Sequence, residues 1–411
     1  MPSARDTANE RRCPVCGLST PGERCPEDGT RTVRVGVFNR EATSYKPGEL
    51  VGDRYRITGT LGRGGFGAVY SAEHTETHHP IAVKLLSIDP ATASDDVVRR
   101  FYREAQITAR LTAQHTVRVF DVGQTAGGPL YLAMELLSGP TLEKVLRQFA
   151  GRGQVMSEAE AIDVAVPILK SLAEAHNAGL VHRDLKPANV VICEVGDDET
   201  VVKVLDFGIA RTSDSSLTDQ GRALGTPGYM SPEQVRARAL DGRSDLYSLG
   251  CILFRCVTGR LPFEHPDAFA QAFMHATEPV PDPVPLRESA GGEPLSDGFL
   301  ATLLRCLAKK PEERFDDARS LRNALEALRG GNWAGTPQST WRYDERPASE
   351  GRPARATVTL DSGEVIEVPA TGEGDEEPAV TLLASRVARG GVLAIAPTLV
   401  LGDSGPAVPA V

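Results

Sequence analysis

Eight consecutive residues, His182-Arg183-Asp184-Leu185-Lys186-Pro187-Ala188-Asn189, constrain this chain more than any other stretch. They put a carboxylate, an ammonium group and an amide on one loop. Upstream, Ile162, Ala165, Val166, Leu169 and Leu172 recur at helical spacing, and Asn177-Ala178-Gly179 supplies a helix stop just before the loop. Downstream, apolar runs at 190–192 and 201–205 predict two short strands, and Asp206-Phe207-Gly208 closes the second. A base (Asp184), a cation (Lys186) and a metal-binding amide (Asn189), with a second carboxylate one hairpin later, suit phosphoryl transfer. That chemistry aims a hydroxyl at phosphorus and cations at phosphate oxygens.

The preceding 130 residues supply what such a loop needs. Short β-rich runs at 55–61, 68–73 and 81–86 surround Gly62-Arg63-Gly64-Gly65-Phe66-Gly67-Ala68-Val69. Strands on both sides disfavour a dinucleotide fold, where a helix follows the glycines. A glycine hairpin lets backbone N–H groups approach phosphates without Cβ obstruction. Ile81-Ala82-Val83-Lys84 places a lysine on an apolar strand. A helix over 94–111 follows, with Ser94 as cap, Asp95 and Asp96 in its first turn, and Glu104 beside its inner face. Further strands are expected at 117–122 and 130–136. Five strands and one helix make a small β-rich lobe.

After Ser138 the pattern turns helical. A helix begins at Thr141, and Ser157-Glu158-Ala159-Glu160 is a capping box for the next. Pro167 sits inside that second helix and should kink it. A long Ser/Thr-rich stretch spans 206–233. Helices are expected at 244–258, 266–276, 296–308 and 317–328, with 279–285 as a proline-rich connector.

The ends differ from this middle. Cys13-Pro14-Val15-Cys16-Gly17 and Cys25-Pro26-Glu27-Asp28-Gly29 look like two knuckles that wrap zinc, with Cys13, Cys16, Cys25 and Asp28 as a Cys3Asp ligand set. So small a segment needs the metal to fold. Alternating Val33, Val35 and Val37 should add a strand. Residues 1–40 thus form a zinc-ribbon-like segment, and 41–54 a linker. From 330 to 411 an acidic, Pro/Gly/Ala-rich tail has a disorder composition, with 357–368 and 379–383 as isolated strands or docking segments. Cys193, Cys251, Cys256 and Cys306 lie in apolar settings and read as small buried residues. The formal charge of -10 argues against nucleic acid as a partner. The first dozen residues lack an apolar core and no stretch suits a membrane span, so the expected location is cytoplasmic, without membrane partners.

Taken in order, Gly62-x-Gly64-x-x-Gly67-x-Val69, Ala82-Val83-Lys84, Glu104, His182-Arg183-Asp184-x-Lys186-x-x-Asn189, Asp206-Phe207-Gly208 and Ser231-Pro232-Glu233 resemble the protein-kinase signature set. Gly225-Thr226-Pro227-Gly228-Tyr229 is similar to the serine/threonine branch, in particular bacterial kinases of eukaryotic type. The resemblance runs over residues 55–329, and Ser231 stands where that family usually has alanine. It implies an α+β, bilobal fold with a β-rich small lobe and a helical large lobe. It also implies an ATP-dependent serine/threonine protein kinase of bacterial intracellular signalling, with Mg²⁺ or Mn²⁺ as cofactor.

The resemblance assigns parts. Leu61, Gly62, Gly64, Gly65, Phe66, Gly67, Val69 and Ala82 would cover ATP, and Met134, Glu135 and Leu137 would line the adenine site. Lys84, held by Glu104, would bind phosphates, and Asn189 and Asp206 would bind Mg²⁺. Asp184 would accept the substrate proton, Lys186 would stabilise the moving phosphoryl group, and Thr226 would touch both. Arg183 would receive a phosphate made in trans by a second copy, at Thr218 among Thr212, Ser213, Ser215 and Ser216. Glu233 would pair with Arg314, and His182 would pack near Phe207. A scaffold that had kept only the fold would lack one of Lys84, Asp184 or Asp206, and all three are present. The long activation segment favours protein substrates over small molecules. A rival reading makes the cysteine ribbon the output, with the kinase as its regulator.

Overall fold

The computed structural model describes residues 11–34, 44–64, 67–86, 95–125, 128–195, 199–207, 226–329 and two strands at 355–359 and 365–369. Ser94, Gly65, Phe66, Gly208, Val35, Val37 and the 212–218 hydroxyls lie outside them.

Three two-residue strands, β1 (Arg11–Arg12), β2 (Ser19–Thr20) and β3 (Val33–Arg34), build the amino-terminal ribbon in the order β2-β1-β3. The small lobe is a six-stranded antiparallel sheet. Its strands are β4 (Leu50–Val51), β5 (Tyr55–Gly64), β6 (Gly67–His74), β7 (Pro80–Leu86), β8 (Val119–Gln124) and β9 (Leu130–Glu135), in the order β4-β5-β6-β7-β9-β8. The sequence suggests five strands. The extra one, β4, falls where a linker is expected, and two residues are too short to show a period. Val51 is nonetheless fully buried, and the Tyr45 ring stands edge-on to Tyr70, so this segment belongs to the lobe. Alternating burial along β6 sends Ala68, Tyr70 and Ala72 into the sheet's core and leaves Val69 on the other face. Helix α1 (Asp95–Thr108) leans on this lobe through Val98, Phe101 and Tyr102.

The large lobe is helical. Its elements are α2 (Leu142–Gly151), α3 (Glu158–Asn177), α4 (Pro232–Val235), α5 (Gly242–Thr258), α6 (Ala268–Thr277), α7 (Pro283–Ser289), α8 (Asp297–Cys306) and α9 (Ala318–Leu328). Side-chain caps set many of their starts: Thr141, Ser157, Asp241, Asp267, Asp282, Ser296 and Asp317 each accept a hydrogen bond from the first turn. Helix α3 runs through Pro167, whose ring is buried. Helix α7 corrects the sequence expectation of a connector over 279–285. Pro283 and Pro285 fall in its first turn, where the missing N–H groups have no intrahelical partner to lose. One apolar core joins α2, α3, α5, α8 and α9, with Leu169, Leu172, Leu249, Ile252, Phe254 and Leu303 wholly buried. All seven cysteines are free thiols. A separate unit beyond Tyr343 contains β12 (Arg355–Thr359), paired antiparallel with β13 (Val365–Pro369).

Strands β10 (Val190–Val195) and β11 (Glu199–Val204) form the hairpin that carries the signature loop and Asp206 at its two ends. The β10–β11 hairpin is what brings Asn189 and Asp206 together.

Candidate active site and metal centre

The loop from His182 to Asn189 is held from below by one buried carboxylate. Asp245, in the first turn of α5, accepts from the backbone N–H groups of His182 (2.8 Å) and Arg183 (2.9 Å) and contacts His176 Nε2 at 2.7 Å. Burial opposes its ionisation, but these partners, led by His176, hold the carboxyl below its ordinary range. Arg183 has a left-handed backbone with φ of 63°, an unfavourable state for a residue with a Cβ, which these bonds and the Gln234 side chain on its carbonyl (2.7 Å) maintain. His182 is wholly buried. Its Nε2 meets the Leu205 carbonyl at 2.8 Å, and its ring lies 4.9 Å from that of Phe207. Asp245, His176 and Gln234 are the positioning residues that sequence reading missed.

On this platform Lys186 Nζ lies 3.0 Å from Asp184 Oδ2 and donates to Thr226 Oγ1 at 3.0 Å. Asn189 Nδ2 donates to the Asp184 carbonyl at 2.8 Å. Asp206, also left-handed with φ of 56°, meets Lys84 Nζ at 2.8 Å. Burial would raise its pKa, but Lys84 outweighs it and keeps the carboxyl below the usual range. Lys84 reaches the site from β7, opposite Leu132 on β9 and Val69 on β6.

Glu104 departs from expectation. The Lys84–Glu104 pair that the resemblance implies is not the arrangement here. Glu104 Oε1 instead lies 3.3 Å from Arg183 Nη1, while Lys84 turns to Asp206. Burial lifts the Glu104 carboxyl to about 7, against the opposing pull of Arg183, Arg100 and Arg103. The position of α1 decides which partner Glu104 reaches, and sequence does not encode that position.

Above the hairpin, Ala82, Val117 and Met134 form an apolar cluster flanked by Leu136, Leu137 and Leu205. Ala82 and Met134 face each other across β7 and β9. Leu61 on β5 is 54% exposed, and Val69 is half-buried. The Glu135 N–H is already given to the Arg118 carbonyl at 2.9 Å. In the large lobe Glu233 and Arg314 form the expected pair, doubly bonded at 2.7 and 2.8 Å, with Ser244 Oγ adding 2.6 Å.

A second cluster lies in the ribbon. Ligand atoms of Cys13, Cys16, Cys25 and Asp28 all fall within 4.8 Å of one another. The two knuckles share one backbone pattern. The N–H of Cys13 bonds to the Leu18 carbonyl and that of Gly17 to Cys13, just as Cys25 bonds to Thr30 and Gly29 to Cys25. Gly17 and Gly29 turn with φ of 81° and 70°, so glycine is required at both. Asp28 therefore stands in the second knuckle where Cys16 stands in the first. The Thr30 backbone N–H, at 2.8 Å, brings the Asp28 carboxyl down to about 2, which keeps it ionised.

Comparison with known proteins agrees with the geometry. Residues 55–326 match the family described as protein kinase domain. A serine/threonine-protein kinase, pkn3 of Myxococcus xanthus, is 37% identical over 286 residues, covering 68% of this chain and 51% of that protein. PknB of Mycobacterium tuberculosis is 39% identical over 285 residues, covering 68% of this chain and 43% of its own length. The chain thus spans about half, or less, of these curated relatives. Among solved structures, the kinase domain of M. tuberculosis PknI superposes with a TM-score of 0.54 at 27% identity, over 70% of this chain and 100% of that one. Among the described residues no helix is long and apolar enough to cross a membrane. The two lobes, the loop they enclose and the match over residues 55–326 together make this chain a member of the protein kinase family.

Proposed function

We propose that the chain transfers the γ-phosphoryl group of ATP to serine and threonine hydroxyls of proteins. The observation that carries this reading is the convergence of Asp184, Lys186, Asn189, Asp206 and Lys84 on one loop and its hairpin. Asp184 accepts the proton of the acceptor hydroxyl as its oxygen bonds to the γ-phosphorus. The bond from that phosphorus to the β,γ-bridging oxygen breaks and ADP leaves. Lys186, within reach of Asp184, offsets the negative charge of the moving group. Lys84 turns from Asp206 to the α- and β-phosphates, and Glu104 orients it. The glycine loop covers the phosphates, and adenine lies in the apolar cluster of Ala82 and Met134. Asp206 and Asn189 offer the hard oxygen donors that Mg²⁺ prefers, and the bound ion would neutralise phosphate charge.

The finer parts of the reading follow the same chemistry. Thr226 and the Gly228–Tyr229 turn place the acceptor peptide, and a second copy phosphorylates Thr218, whose phosphate Arg183 receives. Cys13, Cys16, Cys25 and Asp28 hold structural zinc. A supply of ATP puts the kinase domain in the cytoplasm.

The test uses the full chain, γ-labelled ATP, Mg²⁺ and a generic protein acceptor. Native protein should label serine or threonine, and Asp184→Asn should lose activity by roughly a hundredfold or more. Equal labelling by the two would sink the enzyme reading and favour a scaffold. Phosphosite mapping that finds no modified residue between Asp206 and Thr226 in active protein would remove the autophosphorylation step.

A further inference from the structure

The ribbon is not a free appendage. Val33, on β3, is 4% exposed and shares an apolar cluster with Leu86, Val98, Phe101, Tyr102 and Leu130 of the small lobe. Three of those, Val98, Phe101 and Tyr102, belong to α1. Beside this plug, the Arg34 N–H donates to Gln124 Oε1 at 2.7 Å, and Gln124 Nε2 donates to the Arg34 carbonyl at 3.2 Å, so a side-chain amide extends β8 onto the ribbon. The first knuckle also seats on α1. A Cβ at Gly17 would lie 2.4 Å from Arg99 Nη2. The same helix carries Glu104, one turn along from Phe101, against Arg183.

We propose that the metal-loaded ribbon is a built-in clamp on α1 that holds the kinase in a resting arrangement. This inference rests on the kinase reading above. Its direction comes from the pairing in the docked state: Lys84 is spent on Asp206 and Glu104 on Arg183, whereas phosphoryl transfer asks Lys84 for phosphates and Asp206 for the cation. The metal enters because the four ligand residues bridge the two knuckles. Without it the short strands β1 to β3 have too little apolar surface to hold Val33 and Gly17 in register. Releasing the ribbon uncovers Val98, Phe101 and Tyr102 and lets α1 move toward the position where Glu104 meets Lys84.

The experiment compares full-length protein loaded with Zn²⁺, the same protein stripped by a chelator, and two loaded variants. Val33→Asp removes the plug. Gln124→Ala removes the side-chain bridge while leaving every ribbon residue native. Elemental analysis should find one zinc per native chain, and none should survive in Cys13→Ser with Asp28→Ala. Hydrogen exchange over 95–108 should quicken by about tenfold or more on stripping or in Val33→Asp, and less in Gln124→Ala. Peptide phosphorylation should rise about threefold or more in the same order. Absence of zinc from native protein overturns the metal's role. Unchanged exchange and rate make the ribbon a spectator, and a fall in rate reverses the clamp's sense; either outcome overturns the proposal. If native and Asp184→Asn proteins both lack phosphotransfer, the kinase reading fails, yet metal content and exchange still decide whether the ribbon clamps α1.

Discussion

At the scale of the residue, the buried polar groups carry the sharpest consequences. Asp245→Asn keeps the shape of the side chain but removes the charge that accepts from two backbone N–H groups. It should lower stability by roughly 2 kcal/mol and reduce kcat while KM for ATP changes little, because the loop under Asp184 loosens. Thermal unfolding and steady-state kinetics on one preparation check both. His275 gives a pH effect. Its Nδ1 meets the Tyr247 hydroxyl at 3.0 Å, its Nε2 is buried without a partner, and burial followed by nearby Lys309 lowers its pKa from 6.5 to about 3. Below 6.5 the unfolded chain takes up a proton that the native imidazole refuses. Stability is therefore intact above pH 6.5 and lost as pH falls toward 3, by about 1 kcal/mol per pH unit. Urea denaturation of native protein and His275→Gln between pH 7 and 5 should show a shallower acid loss in the variant. Lys84, Asp184, Lys186, Asn189 and Asp206 stood out by type and order, and the structure brings them together. Asp245 did not, since a lone aspartate near a helix start reads equally well as a solvated charge. Only its burial between His176 and the loop shows otherwise.

Among elements, the buried Glu233–Arg314 pair ties α4 to the loop before α9. Arg314 also gives hydrogen bonds to the carbonyls of Arg243, Ala308 and Lys309. Arg314→Ala should cost about 3–5 kcal/mol, since Glu233 would be left charged and buried. Substituting alanine at both positions should cost less than the two single losses summed, a difference that a double-mutant cycle on chemical denaturation measures. Element existence was readable wherever a capping side chain preceded a helical period, as at Ser157, Ser296 and Asp317. It failed at α7, where prolines signalled a connector although the first turn of a helix tolerates them. It failed too for the partner of Glu104. That contact depends on the rigid-body placement of α1, and periodicity along one helix holds no record of where the helix lies.

For the molecule as a whole, the large lobe closes at a single residue. Arg329, directly after α9, meets Asp163 Oδ2 at 2.6 Å, and Asp163 is almost wholly buried. A chain ending at Arg329 keeps this pair. One ending at Leu328 should lose roughly 1–3 kcal/mol, because Asp163 would keep its burial and lose its cation. Calorimetry on the two truncations separates them by one residue. The docking of the ribbon was not visible from composition: Val33 looked like the start of a strand, and nothing in its neighbourhood named Val98 or Phe101 as its cover. One substitution inside that ribbon reaches furthest. Thiolates favour soft ions, and a carboxylate oxygen favours harder ones. With Asp28 as its fourth donor, the ribbon would rank cadmium and monovalent copper lower against zinc than an all-sulfur site would, and it would exchange its ion more readily with the surrounding pool. Asp28→Cys should then slow metal loss to a competing chelator and shift the preference toward cadmium, turning an exchangeable ion into a nearly permanent one.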